Sequence, residues 1–128
     1  MIYIVINSAA ILAATLAGLL VGFVYLRVAG LAWRRPGTAL AALIAEFWLA
    51  AILAGALILA PAKADPWTMA IGSAVVIWIG FVVPTTVVTQ SARQARTGAI
   101  ALDCLHWLVV MVVQALVLKS IGLIPPPA

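Results

Sequence analysis

Three residues that can accept or bind a proton, Glu46, Asp103 and His106, lie inside long apolar stretches of this chain. At about 1.5 Å per helical residue, Glu46 lies about 12 Å and Asp103 about 9 Å from the same end of the predicted helices. His106 follows one turn later on nearly the same face as Asp103. We therefore expect the three side chains to meet at one depth, where Arg27 either joins them with its long side chain or extends outward.

Two interpretations of this intramembrane polar cluster, Glu46, Asp103, His106 and Arg27, stay open. A desolvated carboxyl group next to a histidine or an arginine is typical of a proton-accepting or cation-binding site. The alternative is a salt-bridge and hydrogen-bond network that only fixes how apolar helices pack. Glu46 would stay ionised beside Arg27 or a charged His106, whereas beside Asp103 the two acids would share a proton.

A proline inside the third apolar stretch marks a second candidate site. Pro84 removes a backbone hydrogen bond and frees the carbonyl of Gly80, and nearby threonine hydroxyls can satisfy freed carbonyls. We expect a bend of more than about 20° there, which is either a compensated kink or a polar niche of the kind that transporters use. The candidate niche comprises Gly80, Pro84, Thr85, Thr86 and Thr89.

Other kinds of chemistry are not indicated. The single cysteine, Cys104, excludes an intramolecular disulfide and a multi-cysteine metal site. No Ser-His, His-Glu-x-x-His or paired catalytic acid pattern is present, so we predict no enzymatic activity, no metal and no other cofactor. The net charge of +4 comes without a basic patch interleaved with aromatic residues, which argues against nucleic acid as a partner.

The composition places these residues in a lipid bilayer. Of 128 residues, 67% are hydrophobic and 8% are charged, and the mean hydropathy is +1.29, whereas about a quarter of the residues of a soluble domain are charged. The apolar stretches exceed the length of about 20 residues that a membrane span needs. We predict an all-α polytopic membrane protein, with four transmembrane helices in an antiparallel up-down bundle that forms one transmembrane domain over residues 1–128.

The predicted helices cover residues 3–30, 38–60, 67–90 and 97–122 approximately. Gly30 is expected to end the first helix, and Thr38 and Thr97 are expected to cap the second and the fourth. The third should begin after Asp65 and Pro66, because an acidic N-cap followed by proline at the first helical position is a common start.

The basic residues predict the orientation in the membrane. Five of the seven flank the first and third loops, namely Arg27, Arg34, Arg35, Arg93 and Arg96, whereas Lys63 and Lys119 lie on the other side. The positive-inside rule then predicts a multi-pass protein of the bacterial inner membrane with both termini away from the cytoplasm. Tyr25 and Trp33 at one interface, and Tyr3 and Trp67 at the other, are interpreted as aromatic anchors.

Rows of small residues indicate close helix packing. Ala10, Ala14, Gly18 and Gly22 repeat at every fourth position, and Ala42 and Ala50 flank Glu46. Such rows let helix backbones approach within one chain or between copies, so the expected partners, besides the lipid bilayer, are other copies of the chain or a larger membrane protein complex.

The two helical hairpins share short motifs that suggest a tandem repeat. Gly22-Phe23-Val24 recurs as Gly80-Phe81-Val82, and the interval from Thr38 to Trp48-Leu49 recurs from Thr97 to Trp107-Leu108. A true repeat would imply a pseudo-two-fold axis along the membrane normal.

The same motifs carry a family resemblance that covers nearly the whole chain. Gly22-Phe23-Val24-Tyr25 leads to Trp33, Gly80-Phe81 precedes Pro84-Thr85, and Leu102-Asp103 precedes Trp107-Leu108. In these features the chain resembles the small four-helix bacterial and fungal membrane proteins named domain of unknown function 1761. The resemblance implies a four-helix membrane fold and no particular activity.

Two functions are compatible with the sequence. The first is a small oligomeric transporter or channel that uses Glu46, Asp103 and His106 for protons or a cation. The second is a non-catalytic accessory or assembly subunit, whose polar residues only fix packing and whose lipid-facing surface docks a larger complex.

Overall fold

The computed structural model describes all residues, 1–128, and the chain is all-helical, with 80% helix and no strands. Four helical segments are long and apolar enough to cross a membrane, namely Ser8–Val28, Pro36–Leu59, Pro66–Ala92 and Thr97–Ile121. The predicted all-α class and the four membrane-spanning helices are confirmed.

The elements follow one another with short connections. They are α1 (Ile2–Ile6), α2 (Ser8–Val28), α3 (Pro36–Leu59), α4 (Pro66–Ile77), a π-helical turn (Trp78–Val82), α5 (Val83–Ala92) and α6 (Thr97–Ile121). Connections 29–35 and 93–96 lie at the same end of the bundle, because Tyr25 and Gln90 both bind Asp103 there, and we call this the loop end. The other end holds both chain termini and connection 60–65, and we call it the terminal end.

The predicted first helix is divided at Asn7, which is a correction to the expected single helix over residues 3–30. Asn7 has φ −103° and ψ 19° and separates α1 from α2. Its side-chain amide donates to the carbonyls of Tyr3 and Ile124, both at 2.9 Å, and its Oδ1 accepts from the N–H of Ile124 at 2.8 Å. The side chain thus ties the C-terminal tail to the helix break, which satisfies buried polar groups that lipid could not.

Helix α2 ends at Val28 because Gly30 adopts a left-handed conformation. Its φ is +70°, a value that glycine reaches without steric cost. The N–H of Leu31 donates to the carbonyl of Leu26 at 2.8 Å, and the N–H of Gly30 donates to the carbonyl of Arg27 at 3.4 Å. These two bonds form a Schellman motif, so Gly30 lies just beyond the helix that it terminates.

The predicted threonine caps are wrong, whereas the acidic start of the third span is present. Arg35 and Arg96 occupy the N-cap positions of α3 and α6, since Pro36 at the first helical position moves the start of α3 ahead of Thr38. Asp65 caps α4 by accepting from the backbone N–H of Thr68 at 2.9 Å. That hydrogen bond holds the pKa of the exposed Asp65 carboxyl below its ordinary value.

Helix α6 occupies the centre of the arrangement, since it contacts α2, α3, α4 and α5, whereas the backbones of α2 and α4 do not come close to each other. The residue before α2 meets the segment after α6, since Asn7 binds Ile124, and a late residue of α2 meets an early residue of α6, since Tyr25 binds Asp103. These two helices therefore run in opposite directions. The tandem relation between the hairpins stays a prediction.

The core is built largely from alanine at close helix contacts. Its small members, all at most 3% exposed, are Ala10, Ala14, Ala50, Ala51, Ala54, Ala70, Ala74 and Ala115. Ile11, Leu53, Met111 and Leu118 fill the remaining space without any exposed surface. Because lipid removes most of the hydrophobic drive for helix association, such close backbone approach is the main source of packing energy.

Candidate functional site

Glu46 lies buried inside the bundle and binds an uncharged partner. Its side chain is 3% exposed and that of Gln114 is fully buried. Gln114 Nε2 donates to Glu46 Oε2 at 2.7 Å and to the backbone carbonyl of Glu46 at 3.2 Å. No lysine or arginine pairs with this carboxyl group. The amide of Gln114 is thus the polar group that holds Glu46 between α3 and α6.

Two glycines of α2 make room for this pair. A Cβ atom at Gly18 would lie 2.7 Å from Gln114 Nε2 and closer still to Glu46 Oε2. One turn away, a Cβ at Gly22 would lie 4.0 Å from Glu46 Oε1 and 3.7 Å from His106 Cε1. The bare backbone of α2 therefore forms one wall of the site, and at position 18 only glycine fits without displacing Glu46 or Gln114.

A second polar group lies nearer the loop end, around Asp103. Its carboxyl group accepts from the hydroxyl of Tyr25 and, at 2.5 Å, from Gln90 Nε2. His106 stacks on Tyr25 with ring centroids 4.3 Å apart and planes 10° apart. The Nδ1 atom of His106 is buried and has no hydrogen-bond partner. Side chains from α2, α5 and α6 thus meet at Asp103.

The two groups follow one another from the bundle interior to the loop end. They adjoin at Gly22, because His106 and Glu46 both lie beside its backbone. We call the two groups together the polar track; it consists of Glu46, Gln114, His106, Tyr25, Asp103 and Gln90.

Arg27 lies outside the polar track, contrary to one of the two placements that the sequence allowed. Its guanidinium stands 5.3 Å from the ring centroid of Phe23, and the residue is exposed. The reason is helical geometry, because successive residues are rotated by about 100° around the helix axis. Arg27 is two residues after Tyr25 and therefore lies on nearly the opposite face, so Arg27 is directed away from the bundle when Tyr25 is directed into it.

Glu46 and Asp103 also do not pair with each other. Asp103 is engaged by Tyr25 and Gln90, one turn of α6 nearer the loop end than His106. Neither of the expected pairings, Glu46 with a cation or with a second acid, is present. The carboxyl group is held by the Gln114 amide instead.

The proline region of the third span forms the π-helical turn and faces outward. The N–H of Val83 bonds to the carbonyl of Trp78, five residues earlier, and the Thr85 hydroxyl donates to the carbonyls of Phe81 and Val82 at 2.7 and 3.0 Å. Exposed residues of the predicted niche are Gly80, Pro84, Thr85 and Thr89, while Thr86 is half-buried. No atom of another element lies within 4 Å of a Cβ at Gly80.

The π-helical turn contacts the rest of the bundle through Trp78. Its indole Nε1 donates to the backbone carbonyl of Cys104 in α6 at 2.8 Å. π-Helical turns occur mostly as single turns within α-helices and are frequent at functional sites. The proline and threonine residues thus lie outside the polar track, and the π-helical turn fastens the third span to α6.

Sequence reasoning missed the roles of Tyr25 and Gln90 in this site. Tyr25 was interpreted as an interfacial anchor, yet it lies three residues after Gly22 on the same helix face and so follows the small-residue row into the bundle. Gln90 lies three residues before the short connection 93–96, and Asp103 lies seven residues after it. Both are therefore near the same end of a helical hairpin, where a long glutamine side chain can reach along the neighbouring helix, and that signal could have found the contact.

The titratable residues do not form a metal site, since no three or more His, Cys, Asp or Glu side chains converge. Comparison with protein-family models, curated proteins and solved structures found no significant match.

Proposed function

We propose that this small integral membrane protein carries out proton-coupled transport and that Glu46 is the residue that binds and releases the proton. The observation that carries the proposal is the burial of Glu46 against Gln114 without a cation. An acidic residue at mid-membrane costs about 2.5 to 3.5 kcal/mol on insertion scales. A neutral side chain could fill a purely structural role without that cost.

The neighbours of Glu46 support the same function. Binding or release of a proton at an unpaired carboxyl group changes the net charge of the bundle interior, and this coupling of charge to packing is what proton-driven transport requires. A fixed ion pair with Arg27 would have prevented such a change. The proposal applies equally to transport of the proton alone and to transport of a cation that competes with it.

Proton flux into liposomes tests the proposal. We expect the reconstituted wild-type protein to acidify a dye-loaded lumen faster than protein-free liposomes when a pH gradient is imposed. Glu46→Gln should reduce the rate to the protein-free level, yet keep its fold, because the new amide oxygen can still accept from Gln114.

The matched control is Asp65→Asn, which removes an exposed carboxyl group at the terminal end. It should transport protons like the wild type. Flux in Glu46→Gln equal to that of the wild type would contradict the assignment of Glu46.

A second candidate function, an accessory or assembly subunit, is favoured by the third span. Only 6% of the apolar window of Pro66–Ala92 is buried, against 28–33% for the other three spans. Large side chains that it exposes are Val76, Ile79, Phe81 and Val88. Extraction in a mild detergent separates the candidates: stoichiometric recovery with a different membrane protein favours the accessory role, and a homo-oligomer favours transport.

We further propose that the loop end faces the bacterial cytoplasm and that both termini lie on the other side. Arg27, Arg34 and Arg35 lie at the loop end together with Arg93 and Arg96, and all five are exposed. Such an excess of basic residues beside short loops is retained on the cytoplasmic side.

Cysteine labelling in whole cells checks this orientation. In a Cys104→Ala background, we expect Ala128→Cys to react with a membrane-impermeant maleimide, and Gly37→Cys to react only after permeabilisation. Gly37 suits the purpose because it is exposed and its Cβ would contact no atom of another element within 4 Å. Reaction of Gly37→Cys in intact cells would reverse the assignment.

A further inference from the structure

We infer that His106 transfers protons between Glu46 and the loop end, through the small gap that Gly22 leaves because it has no side chain. The inference rests on the proposed role of Glu46 as a protonation site. It adds the route by which the proton reaches that site and the side of the bundle from which it comes.

The gap is defined by two atoms that adjoin the same point. The position of a Cβ at Gly22 lies 3.7 Å from His106 Cε1 and 4.0 Å from Glu46 Oε1. Cε1 lies between the two nitrogens of the imidazole ring, and one of them, Nδ1, is buried and has no hydrogen-bond partner. The Gln114 amide donates to Oε2 of Glu46, so Oε1 receives no hydrogen bond. Unsatisfied polar atoms on both sides of a small gap are the usual setting of a buried water.

The route continues from His106 to the loop end. The imidazole stacks on Tyr25, whose hydroxyl donates to Asp103, and Asp103 also accepts from Gln90. Asp103 and Gln90 are half-buried and lie on the loop-end side of His106. Trp33 covers the gap, with its Cζ2 atom 3.8 Å from the Gly22 Cβ position.

His106 releases one proton for each proton that it accepts. In the proposed route, a proton that leaves Glu46 passes to a water molecule in the gap, which gives a proton to one ring nitrogen of His106. The other ring nitrogen releases a proton toward Asp103 and the loop-end water, and exchange between the two neutral tautomers restores the ring. The titratable groups that face His106 are Tyr25 and Asp103 together with Glu46 across the gap, whereas Arg27 is directed away.

The terminal side of Glu46 offers no such route. Ile11, Leu53 and Leu118 fill this part of the bundle with no exposed surface. The nearest hydroxyl along α2 belongs to Thr15, which is engaged with the carbonyl of Ile11 at 2.7 Å. In this conformation, Glu46 therefore exchanges protons with the loop end alone.

Hydrogen–deuterium exchange at the Glu46 carboxyl group tests the route without measuring transport. In supported bilayers at acidic pD, the carbonyl stretch of protonated Glu46 is assigned by its loss in Glu46→Gln, and its shift is followed after a switch to D2O. We expect His106→Phe, which keeps the stacked ring and removes both nitrogens, to slow the exchange by about a hundredfold, the lower range for a positioned proton-transfer group.

Two further variants keep the test decisive. Gly22→Ala should fold, because its Cβ would make ordinary contacts of 3.7 to 4.0 Å, yet it should slow the exchange by filling the gap. Thr15→Val, on the terminal side, should exchange at the wild-type rate. Wild-type exchange in both His106→Phe and Gly22→Ala would overturn the route, as would slow exchange in Thr15→Val alone.

The measurement separates this inference from the proposed function. Slow exchange in His106→Phe together with no proton flux in the wild type would support the route and reject transport. Wild-type exchange in His106→Phe together with proton flux that depends on Glu46 would support transport and reject the route through His106.

Discussion

The Gly18→Leu variant should fail to assemble the native bundle. Even a single methyl group at this position would overlap Gln114 Nε2 and Glu46 Oε2, so a leucine side chain must push α2 away from both α3 and α6. Overpacking costs about 1 to 3 kcal/mol, and a buried polar group left without its partner adds about 1 to 3 kcal/mol. Unfolding in mixed micelles, followed by circular dichroism, measures the change.

Gly72→Leu is the matched control for this prediction. Gly72 also lies within a helix, but a Cβ there would meet no atom of another element within 4 Å. Its stability should be unchanged or slightly raised, since glycine is about 1 kcal/mol worse than the best helix formers. Equal unfolding free energies for Gly18→Leu and Gly72→Leu would show that α2 does not pack on Glu46 as described.

The second large effect is expected for Gln114→Leu. This change removes the donor to the Glu46 carboxyl group and to the Glu46 backbone carbonyl, while it keeps a similar side-chain volume. A buried polar group left without its partner costs about 1 to 3 kcal/mol, and more when it is charged. We expect a loss of stability in that range, measured as the free energy of unfolding.

A double-mutant cycle shows whether the loss comes from this contact. Combining Gln114→Leu with Glu46→Leu replaces both partners by apolar groups, a change that is often neutral or stabilising for buried polar pairs. The double variant should therefore recover most of the stability that Gln114→Leu loses. If the losses in unfolding free energy of the two single variants simply add in the double variant, Glu46 has a different partner in the membrane.

Several local features could be predicted from the sequence because they depend on neighbouring residues in the chain. The four spans follow from composition and length alone. The start of α4 is set by Asp65 and Pro66, and the end of α2 by the conformation that Gly30 permits. The break at Asn7 could not be predicted in this way, because its hydrogen bonds reach Ile124, 117 residues along the chain.

The sequence by itself determined the solvent, the helical class and the identity of the buried acid, because each depends on the cost of placing a given residue type in lipid. Only the tertiary structure decided which side chain Glu46 meets. The helices are apolar on nearly every face, so hydropathy does not specify how they rotate against one another. That rotation is set by the close approach of Gly18 and Gly22 to α3 and α6. It is also what pairs Glu46 with Gln114, brings Tyr25 to Asp103 and turns Arg27 away from the bundle.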